Sequence, residues 1–192
     1  MNKPPKKPHN KERRPREYLT PAEIRQLLSS AKRAKLTSQR DYTMILLAYR
    51  HGLRVSELVN LKWEQIDLKE GLIDIVRINN GMDDTHPLFP SEIKALSKLN
   101  KVKTGIPYVF ISSRKTPVSV SMFRKIISKV GQEANIPFPV HPHMLRHSTG
   151  HKLAEEGQDE RYIQLYLGHK NIQSTHIYTH SISNIYKNFW KD

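Results

Sequence analysis

The sequence contains no cysteine. A disulfide framework, a thiolate metal site and a cysteine nucleophile are therefore excluded. No apolar run approaches the ~20 residues that a membrane span requires, and the N-terminal stretch lacks the apolar segment of a signal peptide. A cytoplasmic protein with no membrane partner is the expectation. Acidic residues are scarce, with 18 Asp and Glu against 32 Lys and Arg and a formal charge of +14. That balance points to a polyanionic partner, most simply nucleic acid. Hydrophobic residues make up 37 %, below the ~45–50 % usual when Gly is counted with them. The shortfall is modest, and 192 residues suffice for one domain with a real core.

The basic surplus is uneven. Residues 1–16 hold seven Lys and Arg, one Glu and four Pro, with no apolar periodicity. They read as a flexible basic arm, either a solubilising tail or a strap on phosphates. Without the arm's net +6, residues 17–192 still carry +8. These form the single expected domain. Thr20-Pro21-Ala22-Glu23 has the form of a capping box opening a helix through about Arg33. Further helices are expected over Ser38–His51, Ser56–Leu61, Ser91–Val102, Ser119–Ala134, Pro142–Glu156, Asp159–Leu167, Asn171–His180 and Ser183–Trp190. Strands are expected at Leu72–Ile78, returning at His86–Phe89 after the Asn79-Asn80-Gly81 turn, and at Tyr108–Ser112. The fold class is α+β, mostly helical, with a small antiparallel sheet.

Three segments carry candidate chemistry. Arg54 opens a helix after a glycine, and Glu57, three residues on, is placed to brace it. Alone, this segment reads first as an ordinary surface ion pair. His143 and Arg146 share a face of the first turn behind Pro142, where a helix N-terminus favours anions. A phosphate site with a built-in proton acceptor fits them, as does a structural cluster. His143 and His147 also have the spacing of a two-histidine metal site, although no HExxH pattern is present. Seven of the ten histidines fall in residues 141–180, a density unusual for a core. Tyr178, among polar neighbours, is either a solvated surface tyrosine or a nucleophile toward a phosphodiester.

In order and spacing, GLRVSEL (52–58), HPHMLRH (141–147) and LGHKNIQSTHIYTH (167–180) resemble the boxes of the tyrosine recombinases, the phage-integrase family. The resemblance covers about residues 18–182 and is nearest to the short invertases that flip fimbrial promoter elements. It implies that Arg54 and Arg146 are the two catalytic arginines and His143 the general base. It implies further that His169 hydrogen-bonds the phosphate, Tyr178 is the nucleophile and Glu57 supports Arg54. The implied activity is inversion of a promoter-bearing DNA element (phase variation) through a 3′-phosphotyrosine intermediate, with neither metal nor other cofactor. The implied partners are double-stranded DNA with inverted-repeat sites, a tetramer of this chain at synapsis and DNA-bending accessory proteins, on the nucleoid.

One position departs from the family. Counting back from His86-Pro87-Leu88, its hairpin lysine falls on Asn79, and no lysine lies between Lys69 and Lys94. The alternative function is accordingly a DNA-binding regulator on the same fold with weakened catalysis. A metal-dependent nuclease using the histidines is the third.

Overall fold

A computed structural model describes residues 16–33, 38–77, 82–101 and 105–171. Tyr178, Asn79, most of the arm and the two C-terminal helices expected from sequence lie outside the described residues. Helix α1 spans Pro21–Arg33. Its start is the expected capping box: the Glu23 carboxylate accepts the Thr20 backbone N–H at 2.8 Å, and Thr20 Oγ1 accepts the Glu23 N–H at 3.3 Å. Arg16 closes a fork on the same carboxylate at 2.6 and 2.7 Å, so this last residue of the expected arm is tied to the helix.

Helix α2 (Ser38–Arg50) carries Met44, Ile45 and Leu47 into the core and delivers the chain to a tight turn at 51–54. Short helix α3 (Val55–Val59) follows, and a 3-10 turn (Trp63–Gln65) leads into the sheet. The sheet is antiparallel in the order β1 (Ile66–Asp67), β2 (Leu72–Ile75), β3 (Asp84–Pro87). Ile66 and His86 flank Ile73 in register. Helices α4 (Pro90–Asn100), α5 (Val120–Glu133), α6 (Pro142–Glu155) and α7 (Glu160–Leu167) complete the described chain. Ser119 caps α5 by accepting the Met122 N–H, and Asp159 caps α7 through the Arg161 N–H.

Two strand expectations are corrected. The third strand is Ile66–Asp67, whereas Tyr108–Ser112 makes only isolated bridges. Its backbone groups are taken elsewhere: Val109 N–H bonds to Leu61, and Phe110 C=O accepts Val118 N–H. The returning strand is Asp84–Pro87, two residues earlier than expected. Pro90 occupies the first turn of α4, which makes Phe89 its N-cap and ends the strand before it.

The core lies between the helices, with Phe110, Phe123, Ile127 and Leu96 fully buried. Ser148 on α6 accepts the Leu19 N–H at 2.8 Å and donates to Met144 C=O, fastening the N-terminal segment across α6.

Helix α5 meets the segment leading into α6 at Gly131. A Cβ there would lie 2.6 Å from Val140 Cγ2 and 2.9 Å from its Cβ, and Val140 is itself buried. Alanine gains ~1 kcal/mol of helix propensity but overpacks the contact by about 1–3 kcal/mol. Gly131→Ala is therefore expected to lower the urea midpoint. In a cycle with Val140→Ala the two changes should couple favourably by about 1 kcal/mol. Additive effects would show that the contact is not tight.

Candidate active site

The site is built on the α2–α3 turn. Arg54 is the N-cap residue of α3, and Glu57 reaches back to it. Glu57 Oε2 accepts the Arg54 backbone N–H at 2.8 Å, and Oε1 accepts Arg54 Nη1 at 2.8 Å. The expected brace is present, but it is a buried one, because the Glu57 side chain is 2 % exposed. A second cation meets it: Arg77 Nη1 donates to Oε2 at 2.9 Å. Burial opposes the Glu57 charge, yet Arg77, followed by the Arg54 backbone and side-chain hydrogen bonds, holds the carboxyl below its usual range.

Helix α6 brings the second pair. His141 is its N-cap residue, and Pro142 occupies the first turn. Arg146 is buried and donates to two carbonyls, Gly52 and Leu167, each at 2.5 Å. Gly52 stands in the turn that presents Arg54, and Leu167 ends α7. One guanidinium thus ties the turn, α6 and the C-terminus of α7, where a cation is favoured. His143 stands exposed one turn earlier, its ring edge-on to His147 at 4.4 Å. Its pKa is lowered, first by the part of the ring its neighbours cover and next by Arg146, so the neutral, proton-accepting form prevails at neutral pH.

His169 follows the end of α7. Its N–H bonds to Gln164 C=O at 2.9 Å, and Gln164 Nε2 returns to the His169 carbonyl at 3.1 Å. Burial, then Arg146, Arg54 and Arg77, push its imidazole down to about 3. It is a neutral ring beside three guanidiniums. The preceding Gly168 has φ +62°, and a Cβ there would lie 2.7 Å from Arg77 Nε. Both the backbone and the approach of Arg77 call for glycine.

Arg54 and His143 line one cleft of about 500 Å³, together with Leu53, Ser56, Arg124 and His141. The structure therefore gathers Arg54, Glu57, His143, Arg146 and His169 around one turn, while Tyr178 and Asn79 lie outside the described residues. Arg77 and Arg124 were not among the site residues read from sequence. For Arg77 a signal existed: it continues the inward alternation of Ile73 and Ile75 along β2. The histidine density has a partly different meaning from the one expected. His151 stacks on Tyr18 with centroids 3.8 Å apart, and His141 Nε2 lies 3.0 Å from Glu17, both tying down the N-terminal segment. Outside the rich segment, His51 and His86 are buried against each other. Among the described residues no three His, Asp or Glu side chains converge as a metal set.

Glu57→Gln should destabilise the fold by about 3–5 kcal/mol at neutral pH, because Arg77 is left buried without its counter-charge. The pH dependence has a definite sign. A carboxyl with a lowered folded pKa contributes fully above its unfolded value, ~4.3, and loses that contribution as pH falls through the folded value. Urea midpoints of wild type and variant should differ widely at neutral pH and converge in acid. A gap independent of pH would show that the buried carboxylate carries no such charge.

The sequence pattern of the phage integrase family matches residues 17–184. Type 1 fimbriae regulatory protein FimE of Escherichia coli K12 is 41 % identical over 182 residues, which is 92 % of this chain and 91 % of that protein. FimB of the same organism is 41 % identical over 180 residues, covering 91 % and 90 %. The crystal structure of XerA recombinase is similar with a TM-score of 0.77 and 31 % identity, over 93 % of this chain and 62 % of the XerA chain. The gathered residues and these likenesses agree, and the chain belongs to the phage integrase family, the tyrosine recombinases.

Proposed function

We propose that this protein is a site-specific DNA recombinase of the inverting kind, with Tyr178 as nucleophile. The observation that carries the reading is the joining of Arg54 and Arg146 through one turn. Arg146 binds the carbonyl of Gly52, two residues before Arg54, and neutral His143 stands in the cleft beside Arg54. A phosphodiester is the ligand that two arginines and a neutral imidazole suit. Tyr178 Oη attacks the scissile phosphorus while His143 accepts its proton. Arg54 and Arg146 offset the charge on the phosphorane oxygens, and neutral His169 donates to one of them. The bond to the 5′-oxygen breaks and that oxygen takes a proton from solvent water, leaving a 3′-phosphotyrosine and a 5′-hydroxyl. Religation reverses these steps without loss of bond energy. Exchange between two inverted repeats engages four protomers, with bending proteins assisting on the nucleoid. Inversion of a promoter element then switches transcription.

The test uses a duplex selected by the Tyr178→Phe variant from a random-sequence pool, then nicked as a suicide substrate. In EDTA, wild type should form a denaturant-resistant adduct. Tyr178→Phe should form none while binding within about twofold, since phosphate contacts dominate affinity. An adduct from the Phe variant removes Tyr178 from this role. Binding with no wild-type adduct favours the regulator, and EDTA-sensitive cleavage without an adduct favours the nuclease.

The regulator reading rests on one feature, the lack of a lysine between Lys69 and Lys94. Protonating the leaving 5′-oxygen is worth about 10²–10⁴-fold, and the Asn79 amide is no acid at neutral pH. A 5′-bridging sulfur leaves as a thiolate without an acid. Wild type should therefore cleave the sulfur substrate much faster than the normal one, and Asn79→Lys should speed the normal one. Equal, high rates on both substrates would remove the acid deficit.

A further inference from the structure

The cleft arginines are not the only ones in the site. Arg77 lies just beyond β2, and its side chain is wholly covered, 0 % exposed. Its contacts join α3, the base of the hairpin and the end of α7. Nη1 donates to Glu57 Oε2 at 2.9 Å, and Nη2 donates to the Tyr166 carbonyl in the last turn of α7 at 2.7 Å. The backbone N–H donates to Asp83 Oδ1 at 2.6 Å, across the base of the hairpin. Nε has no hydrogen-bond partner among the described residues and faces Gly168, next to His169.

The division of donors around Glu57 is informative. Oε2 is taken by Arg77 and by the Arg54 backbone, so the Arg54 side chain meets the carboxylate through Nη1 at Oε1. An arginine beside an unshared carboxylate tends to close a two-point fork on it. That fork would turn two of the five guanidinium N–H groups away from any other anion. Arg77, by holding Oε2, prevents the closure. A lysine could not do the same, because a point charge does not bridge Glu57 and the Tyr166 carbonyl in one plane.

We propose that Arg77 is a positioning residue for DNA cleavage. Occupying Glu57 Oε2, it keeps the Arg54 guanidinium open toward the scissile phosphate while it pins the turn that presents His169. The inference rests on the recombinase reading above. Arg77 itself stays too deep to meet DNA, so it acts on the rate through Arg54 and not on binding.

The experiment is a double-mutant cycle in single-turnover cleavage of the selected suicide duplex, with Arg77→Lys, Arg54→Lys and the double variant. Each protein is first melted by circular dichroism and its duplex affinity measured. Arg77→Lys should fold, bind within about twofold of wild type and cleave about tenfold or more slowly, as residues acting as a unit do. In the Arg54→Lys background the same change should slow cleavage by less than about threefold, because the group it acts through is already altered. Losses that multiply in the double variant overturn the proposal, as does a loss of affinity matching the loss of rate. If Arg77→Lys fails to fold, Arg77→Met takes its place in the cycle, and failure of both makes Arg77 structural and overturns the proposal. No adduct from wild type would defeat the recombinase reading as well, whereas a wild-type adduct with multiplying losses defeats this inference alone.

Discussion

A carboxylate buried to 2 % exposure is untenable unless its charge is met, and in this chain Glu57 is met by three N–H groups on two arginines. Desolvating such an ion costs several kcal/mol, and a single missing partner leaves most of that penalty standing. The arrangement has few alternatives for that reason. Arg54 is fixed at the start of α3, the base of the hairpin is drawn onto the same oxygens, and α7 is held from its C-terminal side by the other end of Arg77. Arg146 repeats the principle with neutral acceptors, tying the 51–54 turn to the last residue of α7. Buried charge pairs and hydrogen bonds thus fix the segments that present the site.

Burial first, and these guanidiniums after it, hold the His143 and His169 imidazoles in their neutral form. After burial, the largest influence on His169 is Arg146, and the result is a pKa pushed down to about 3. His147 is pushed to about 4 by burial and then by His143. A site rich in fixed cations keeps its histidines neutral and reserves its positive charge for groups that cannot lose it. Neutral imidazoles can each donate one proton and accept another, which suits both transfer and hydrogen bonding at a phosphate. An anion entering the cleft meets charge already in place, and little reorganisation is required.

Helices were legible in the sequence because each had a punctuated start: Thr20 with Glu23, Ser119, Pro142 and Asp159 all open helices in the structure. Strands were less so. Tyr108–Ser112 has strand composition, but its pairing partners are loops at Leu61 and Val118, and only tertiary structure could reveal that. Arg54, Glu57, His143, Arg146 and His169 were legible through motif order. The depth of Glu57 was not, because burial depends on Arg77, 20 residues away. Residue type misled at the end of β2, where Val76 is 54 % exposed and Arg77 is buried. Alternation along the strand predicts this inversion, while hydrophobicity argues against it.

Behind the 51–54 turn, the histidines buried outside the rich segment follow a constraint of their own. His51 Nε2 lies 3.0 Å from the fully buried Glu92, and its Nδ1 lies 3.2 Å from His86 Nδ1. His86 Nε2 lies 3.4 Å from Asp84. Burial first, then His51 and Arg77, lowers the His86 pKa to about 4, so this ring is neutral at neutral pH. The neutral His86 ring carries a single N–H, so it cannot donate to both His51 Nδ1 and Asp84. Glu92 is sealed from water, and against that burial its contact with His51 and the Phe89 backbone N–H hold the carboxyl below its usual range. The Nδ1 pair is equally enclosed. Asp84, 45 % exposed, is the partner that water can replace. The outer strand of the hairpin therefore carries the contact that water can replace, whereas the inner strand stays fixed through Arg77 on Glu57. Arg77 then holds the inner strand in place whichever way the histidine protons are arranged.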